Sequence, residues 1–255
     1  HIPAMLNEAV YYLNCRPGNF YVDCTLGGSG HAKAICEKII PDGMIIGIDQ
    51  DIDAINHARD VLYEYPLTIH LFHGNFTRLP EFLEQIHISS VDRILLDLGL
   101  SLHQLENSGR GFSFPKEEPL DMRMNANAGQ TAMQLVNGRS EKDLADLFRE
   151  FGEERRAKGI ARAIVRKRKQ QPIRTSRQLS DIIIAATSQK PGKKHRIHPA
   201  TRCFQALRRA VNEEGDELRA GLALAGFAGG SLLNAAIFGV LGAVLHSFSF
   251  GLDPL

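Results

Sequence analysis

Cysteine is scarce in this 255-residue chain, and the four present, Cys15, Cys24, Cys36 and Cys203, have neither paired metal-ligand spacing nor the density of a disulfide framework. That argues against structural zinc and for a reduced, cytoplasmic setting. No initiator methionine precedes His1 and no signal-like segment follows it, so a few upstream residues are expected and export is not. Charge is missing altogether from Ala220 to Leu252. Within that run Leu222 to Leu245 is long enough for a bilayer, but its glycines and the polar Ser231 and Asn234 fit a buried helix, loop and strand better. No membrane partner is expected. Aromatic side chains are absent from Arg155 to Arg209 apart from Phe204, which excludes a row of base-stacking platforms in that stretch.

What that stretch does contain is positive charge. The chain's net charge of +1 hides seventeen Lys and Arg against one acid, Asp181, between Arg155 and Arg209. A block this basic between acidic flanks reads as a surface for polyanions, with RNA first and a membrane surface second. Without aromatics, contact through backbone phosphates is the expected mode. The candidate contacts are Arg155, Arg156, Arg166, Arg168, Lys193, Lys194, Arg196 and Arg202. The competing reading is a set of solvated helix faces, which basic runs often are.

A hydrophobic content of 44% supplies a full core. Over the first hundred residues, short runs rich in Ile, Val and Leu alternate with helical stretches: strands near 20–24, 44–49, 68–72 and 92–98, helices near 30–39, 51–62 and 77–87. This order predicts a doubly wound, Rossmann-like α/β domain whose parallel sheet is covered on both faces. After Gly99 a loop precedes helices only, near 130–136, 140–149, 153–169, 175–187 and 199–211. Residues 1–105 and 206–255 are therefore expected to form one discontinuous domain, with 106–205 a basic helical insertion.

The first two strands carry the most specific pattern. Phe20-Tyr-Val-Asp-Cys-Thr-Leu-Gly-Gly-Ser-Gly-His31 is an apolar strand, a glycine turn and a helix start, and Ile45-Ile-Gly-Ile-Asp49 is a second strand ending in an acid. Glycines such as Gly27 and Gly30 let backbone approach a ligand, and the open helix end offers N–H groups. A pyrophosphate suits such a turn only where no carboxylate opposes it, whereas here Asp23 ends the strand. A ligand with a cationic end fits better, and S-adenosylmethionine, with an ammonium, a sulfonium and no phosphate, fits better than NAD. Asp49 lies 22 residues after Gly27, where a carboxylate accepts ribose hydroxyls. Asp97 ends the fourth apolar run, Ile94-Leu-Leu-Asp97, at the edge where open α/β sheets bind ligands. It reads equally as an acceptor for the N–H groups of a target amine or as only a cofactor or turn-capping residue. Phe76 reads first as core and second as an adenine neighbour; His31 reads as a capping or cofactor neighbour.

Taken as a set, His1-Ile-Pro-Ala-Met-Leu-Asn-Glu8, Asp23-Cys-Thr-Leu-Gly-Gly-Ser-Gly-His31, Asp97-Leu-Gly-Leu-Ser101, Arg110-Gly-Phe-Ser-Phe114, Pro119-Leu-Asp-Met-Arg-Met124, Phe151-Gly-Glu-Glu-Arg155 and His198-Pro-Ala-Thr-Arg-Cys-Phe-Gln-Ala-Leu-Arg208 resemble the ribosomal RNA small subunit methyltransferase H family. The likeness runs from His1 to about Leu218. It implies transfer of methyl from S-adenosylmethionine to the N4 amine of a cytidine in the decoding region of 16S rRNA, with small-subunit rRNA or the small ribosomal subunit as partner and a homodimer as one assembly. It implies cofactor contacts at Ser29, Gly30, His31, Asp49, Phe76, Asp97 and Gln104, beside Asp23 and Gly27, with Asp97 and Ser101 as candidate catalytic residues. It also implies a helical domain inserted in the sheet domain. The sequence departs from the family pattern at Leu102-His103, where Ser-Pro is usual. It departs again at the end, where Ala228-Gly-Gly-Ser231 and His246-Ser-Phe-Ser-Phe250 replace a charged motif. A methyltransferase on DNA or protein, and an impaired RNA-binding assembly factor, are the alternatives. An NAD-dependent oxidoreductase is disfavoured by Asp23.

Overall fold

Short runs of Ile, Val and Leu become the strands of one parallel sheet in the computed structural model, which describes residues 3, 5–127, 129–187 and 198–214 and the backbone of 235–239. The chain divides into two units, 1–101 with 217–255 and 102–216.

In the first unit the elements are α1 (Leu6–Leu13), β1 (Phe20–Asp23), α2 (Gly30–Ile39), β2 (Met44–Asp49), α3 (Ile52–Leu62), β3 (Thr68–His73), a 3₁₀ turn at Phe76–Arg78, α4 (Leu79–Gln85), β4 (Arg93–Leu98) and β5 (Ala235–Gly239). The strands lie in the order β3-β2-β1-β4-β5, every pair parallel. Side chains alternate between faces along a strand. Tyr21, Ile45 and Leu95 accordingly pack with Ala32, Ile35, Ile55 and Ala58 of α2 and α3, while Val22, Ile46 and Ile94 pack with Leu79, Phe82 and Leu83 of α4. Both faces are dry, which is why these strands read as unbroken apolar runs.

The second unit is helical: α5 (Leu102–Glu106), α6 (Ala132–Gly138), α7 (Glu141–Glu150), α8 (Ala157–Arg168), α9 (Ser176–Thr187) and α10 (Thr201–Val211). Thr131 and Gln134 form a reciprocal capping box at the start of α6, and Ser140 accepts from Asp143 N–H at the start of α7. Leu144, Phe148, Ile160, Ile164, Ile183 and Leu207 are buried. The boundary drawn from sequence between 205 and 206 falls inside α10.

Several elements differ from the sequence reading. Helix α1 was not foreseen, although Leu6, Ala9, Val10 and Leu13 have helical spacing, and α5 occupies the start of the expected loop. Helix α8 begins at Ala157 rather than 153 because Glu153 has φ 51°, a left-handed conformation that ends a helix run. The cause is tertiary: a Cβ on Gly152 would stand 2.4 Å from the Arg202 carbonyl oxygen, so the chain turns where only glycine fits. Gly152→Ala is expected to destabilise the chain by about 1–3 kcal/mol, seen as a lower Tm, whereas Gly159→Ala, with open space at its Cβ, should leave Tm unchanged or raise it. Among the described residues no helix is long and apolar enough to cross a membrane. Leu222 to Leu245 lies outside the described residues except for β5.

Candidate functional site

The strand order reverses at β1, whose successors run outward to β2 and β3 on one side while β4 and β5 lie on the other. In an open α/β sheet this switch point leaves a crevice at the carboxyl ends of the strands. Asp23 pairs with both Gly47 and Leu95. Asp49 and Asp97, each two residues further along its strand, therefore flank the end of β1, and the register places all three acids at one edge.

The turn after β1 is fixed by backbone bonds to both neighbouring strands: Cys24 N–H donates to Leu95 O at 3.0 Å and Leu26 N–H to Ile48 O at 3.3 Å. Gly27 follows with φ 46° and Ser29 with φ 59°, both in the left-handed region that glycine adopts freely. A Cβ on Gly27 would lie 3.6 Å from Cβ of Ser101, while one on Gly28 would meet nothing, so the turn is tight on one side and open on the other. Ser29 precedes α2 without capping it, and its Oγ is buried with no hydrogen-bond partner. Gly30 and His31 open α2.

Asp49 is anchored through both oxygens: Gly27 N–H donates to Oδ2 at 2.9 Å and Asp51 N–H to Oδ1 at 2.8 Å. Burial pushes its carboxyl up to about 6, with these two N–H groups pulling the other way. Each oxygen keeps a lone pair for a further donor. Asp23 is wholly buried. Thr25 N–H donates to its Oδ1 at 3.0 Å, but Oδ2 has no partner. Burial pushes this carboxyl up to about 7; the Thr25 N–H opposes that, and the nearby Asp49 and Asp97 charges add to it. Asp97 is more open, its side chain 27% exposed and its Oδ2 3.7 Å from His31 Nδ1. Burial raises its pKa while His31 lowers it. The Asp97 N–H donates to Thr25 Oγ1 at 2.7 Å, so one threonine hydroxyl ties the β1 turn to the end of β4. Thr25 and Asp51 were missed in the sequence. Asp51 caps α3 by accepting from Asp53 N–H, and an acid two residues after Asp49 was the signal that could have found it.

The remaining expected residues are placed as follows. Phe76 is buried in the core cluster beside Leu79 and Phe82, the first of its two readings. Gln104 is buried on α5 of the helical unit. Arg155 and Arg166 are exposed. Arg156, Arg168 and Arg202 are half-buried and each donates to a backbone carbonyl, of Thr187, of Val136 at 2.6 Å and of Glu153 at 3.2 Å respectively. These three guanidinium groups thus hold the helical unit together, a role that their basic surroundings in sequence concealed. Lys193, Lys194 and Arg196 lie outside the described residues.

A buried carboxylate oxygen with no partner, two further acids beside it and an open cradle at Gly28 suit a ligand with a cationic end, a nucleoside and no phosphate. Crevice, turn and acids together define an S-adenosylmethionine-dependent methyltransferase. Residues 1–238 match the MraW methylase family, and the chain belongs to it. The chain is 49% identical over 218 residues to the ribosomal RNA small subunit methyltransferase H of Desulfosudis oleivorans, covering 86% of this chain and 70% of that one. It is 49% identical over 222 residues to the protein of that name from Geotalea daltonii, covering 87% and 71%. Among solved structures, TrmN from Thermus thermophilus aligns with 37% of this chain and 27% of its own, at 22% identity and a TM-score of 0.33.

The anchoring of Asp49 makes a direct prediction. Asp49→Ala removes the acceptor for two turn N–H groups and for ribose hydroxyls, where charge-assisted bonds contribute about 1.5–3 kcal/mol each. Affinity for S-adenosylhomocysteine, measured by calorimetry, is expected to fall by roughly 10²-fold or more, and an unchanged affinity would remove Asp49 from the site.

Proposed function

We propose that the chain transfers methyl from S-adenosylmethionine to the N4 amine of a cytidine in 16S rRNA of the small ribosomal subunit. The observation that carries this reading is Asp97, a partly exposed carboxylate at the end of β4 beside two acids committed to the turn and its ligand. The 49% identity to relatives named ribosomal RNA small subunit methyltransferase H supports the acceptor class.

The bound cofactor supplies an electrophilic methyl on a sulfonium. Asp23 would face its cationic end, Asp49 would accept from its ribose, and Gly27, Ser29, Gly30 and His31 would line the turn along it. Asp97 accepts an N–H of the exocyclic amine. That bond draws electron density onto a nitrogen whose lone pair is otherwise delocalised into the ring, and it orients that nitrogen for in-line attack. Ser101 follows Asp97 at the same edge. No covalent intermediate on the protein is needed: N4 would attack the methyl carbon as the methyl–sulfur bond breaks, its electron pair passing to sulfur so that S-adenosylhomocysteine leaves, and N4 would then give up its proton to solvent. The target base has to leave its stack, at a cost of a few kcal/mol that is least in a looped or single-stranded site. Cations of the helical unit, Arg155 and Arg166 among them, contact phosphates.

The test uses labelled S-adenosylmethionine and small ribosomal subunits lacking the modification, followed by digestion and mass spectrometry of nucleosides. N4-methylcytidine is expected. Transfer to DNA or protein instead, or no transfer despite cofactor binding, would overturn the assignment.

A further inference from the structure

A second concave surface lies within the helical unit. Between α8 and α9 runs a groove of about 780 Å³, lined by the apolar Ala163, Ile182 and Ala185 and by the polar Arg166, Lys167 and Gln171. The sequence makes the groove by placing alanines on facing helices, so that two closely packed helices leave room between them. Its volume is that of a small-ligand site, large enough for a nucleotide.

The charge around it is one-sided. Arg166 and Lys167 are exposed, and among the described residues neither has a carboxylate partner within ion-pair distance. The one acid in the lining, Asp181, is 3.5 Å from Arg177, which offsets its charge. The adjacent Arg168 points elsewhere, donating to Val136 O. Two free cations beside an apolar lining, with the side-chain amides of Gln170, Gln171 and Gln178, match a ligand that alternates phosphates with flat, partly apolar rings. A flat lipid surface would leave such a groove empty.

We propose that the α8–α9 groove seats a segment of single-stranded RNA, with phosphates on Arg166 and Lys167 and a base or ribose against the alanine lining. This assignment rests on the reading of the acceptor as rRNA and extends it to a place in the fold.

The test measures binding of the whole chain to a labelled single-stranded RNA oligonucleotide, and to small ribosomal subunits, across a salt series. Arg166→Ala/Lys167→Ala is expected to weaken binding about tenfold at 0.15 M salt and to lower the slope of log affinity against log salt by about 1.4, the value for two phosphates. Ala185→Phe, exposed and uncharged, should weaken binding by filling the groove while leaving the slope unchanged. Tm and affinity for S-adenosylhomocysteine should not move in either. A matched removal of exposed charge, Arg139→Ala/Lys142→Ala, serves as control. The proposal is overturned if Ala185→Phe binds as the unaltered chain does, or if the control pair costs as much as the groove pair. Methyl transfer to rRNA by the unaltered chain alongside either result would leave the proposed function standing without the groove. RNA held in the groove with no transfer would do the reverse, and no RNA binding at all would end both.

Discussion

Asp97→Ala is expected to lower the rate of methyl transfer by roughly 10²–10³-fold, the scale on which a positioned acceptor or donor contributes in a preorganised site, while the fold persists. The reason lies in how differently the three strand-end acids are engaged. Asp49 has both oxygens bound by backbone N–H groups, and Asp23 is fully buried. Asp97 is the one of the three that is partly exposed, with its Oδ2 3.7 Å from His31 Nδ1. Its backbone N–H, not its carboxylate, makes the bond to Thr25 that secures the turn, so truncating the side chain leaves that bond in place. Cofactor affinity should therefore fall far less than the rate. Asp97→Asn keeps an acceptor oxygen and loses the charge, and should retain an intermediate rate. Single-turnover transfer to small ribosomal subunits, with cofactor affinity measured in parallel by calorimetry, checks both variants. Full methylation by Asp97→Ala at unaltered affinity would remove Asp97 from the chemistry and leave it as a turn-capping residue.

The acids at the strand ends were legible because a parallel sheet buried on both faces forces continuous apolar runs, so that a carboxylate closing such a run stands out. Ile45-Ile-Gly-Ile-Asp49 and Ile94-Leu-Leu-Asp97 are β2 and β4 to within a residue or two. What the residue string does not carry is the partner of each polar atom. Arg166 and Arg168 are near neighbours in one basic run, yet one is exposed and the other donates to a carbonyl 32 residues away on α6. Helix α8 starts late because α10 brings the Arg202 carbonyl against Gly152, a contact between residues fifty positions apart in the chain. Thr25 escaped notice for the same reason: its hydroxyl matters through Asp97, 72 residues on. Local pattern thus revealed the elements and the acids, and long-range contacts decided which cations hold the fold and which remain available.

Cofactor binding is expected to strengthen as pH rises from about 5 to about 7.5, approaching roughly a hundredfold per pH unit near pH 5, where two protons are expelled, and roughly tenfold per unit between about 6 and 7, where one is. The sign follows from Asp23. Burial moves its carboxyl from the ordinary 3.8 up to about 7 in the folded chain, and Asp49 moves from 3.8 to about 6. Between those values the folded chain without ligand holds protons that the unfolded chain has released, so its stability is greatest below about pH 4 as far as these groups are concerned and is lost as pH rises towards about 7. A ligand with a cationic end inverts that balance, because it favours the ionised carboxylates that the empty fold disfavours. Below about pH 6 the ligand has to expel a proton from each acid, whereas above about pH 7 the carboxylates are already charged and strained by mutual repulsion, which the cation relieves. The increase in Tm on adding S-adenosylhomocysteine should accordingly grow with pH over this window, and calorimetry near pH 6 in buffers of different ionisation enthalpy should detect proton release on binding. Asp23→Asn, which keeps the shape and the Thr25 bond and cannot ionise, should abolish the part of the rise centred near 7 and leave the part near 6 that belongs to Asp49. An affinity that stays flat from pH 5 to 7.5 would mean that Asp23 keeps its proton in the complex and donates to the ligand through Oδ2, in which case the turn selects for an acceptor at that position and not for a cation.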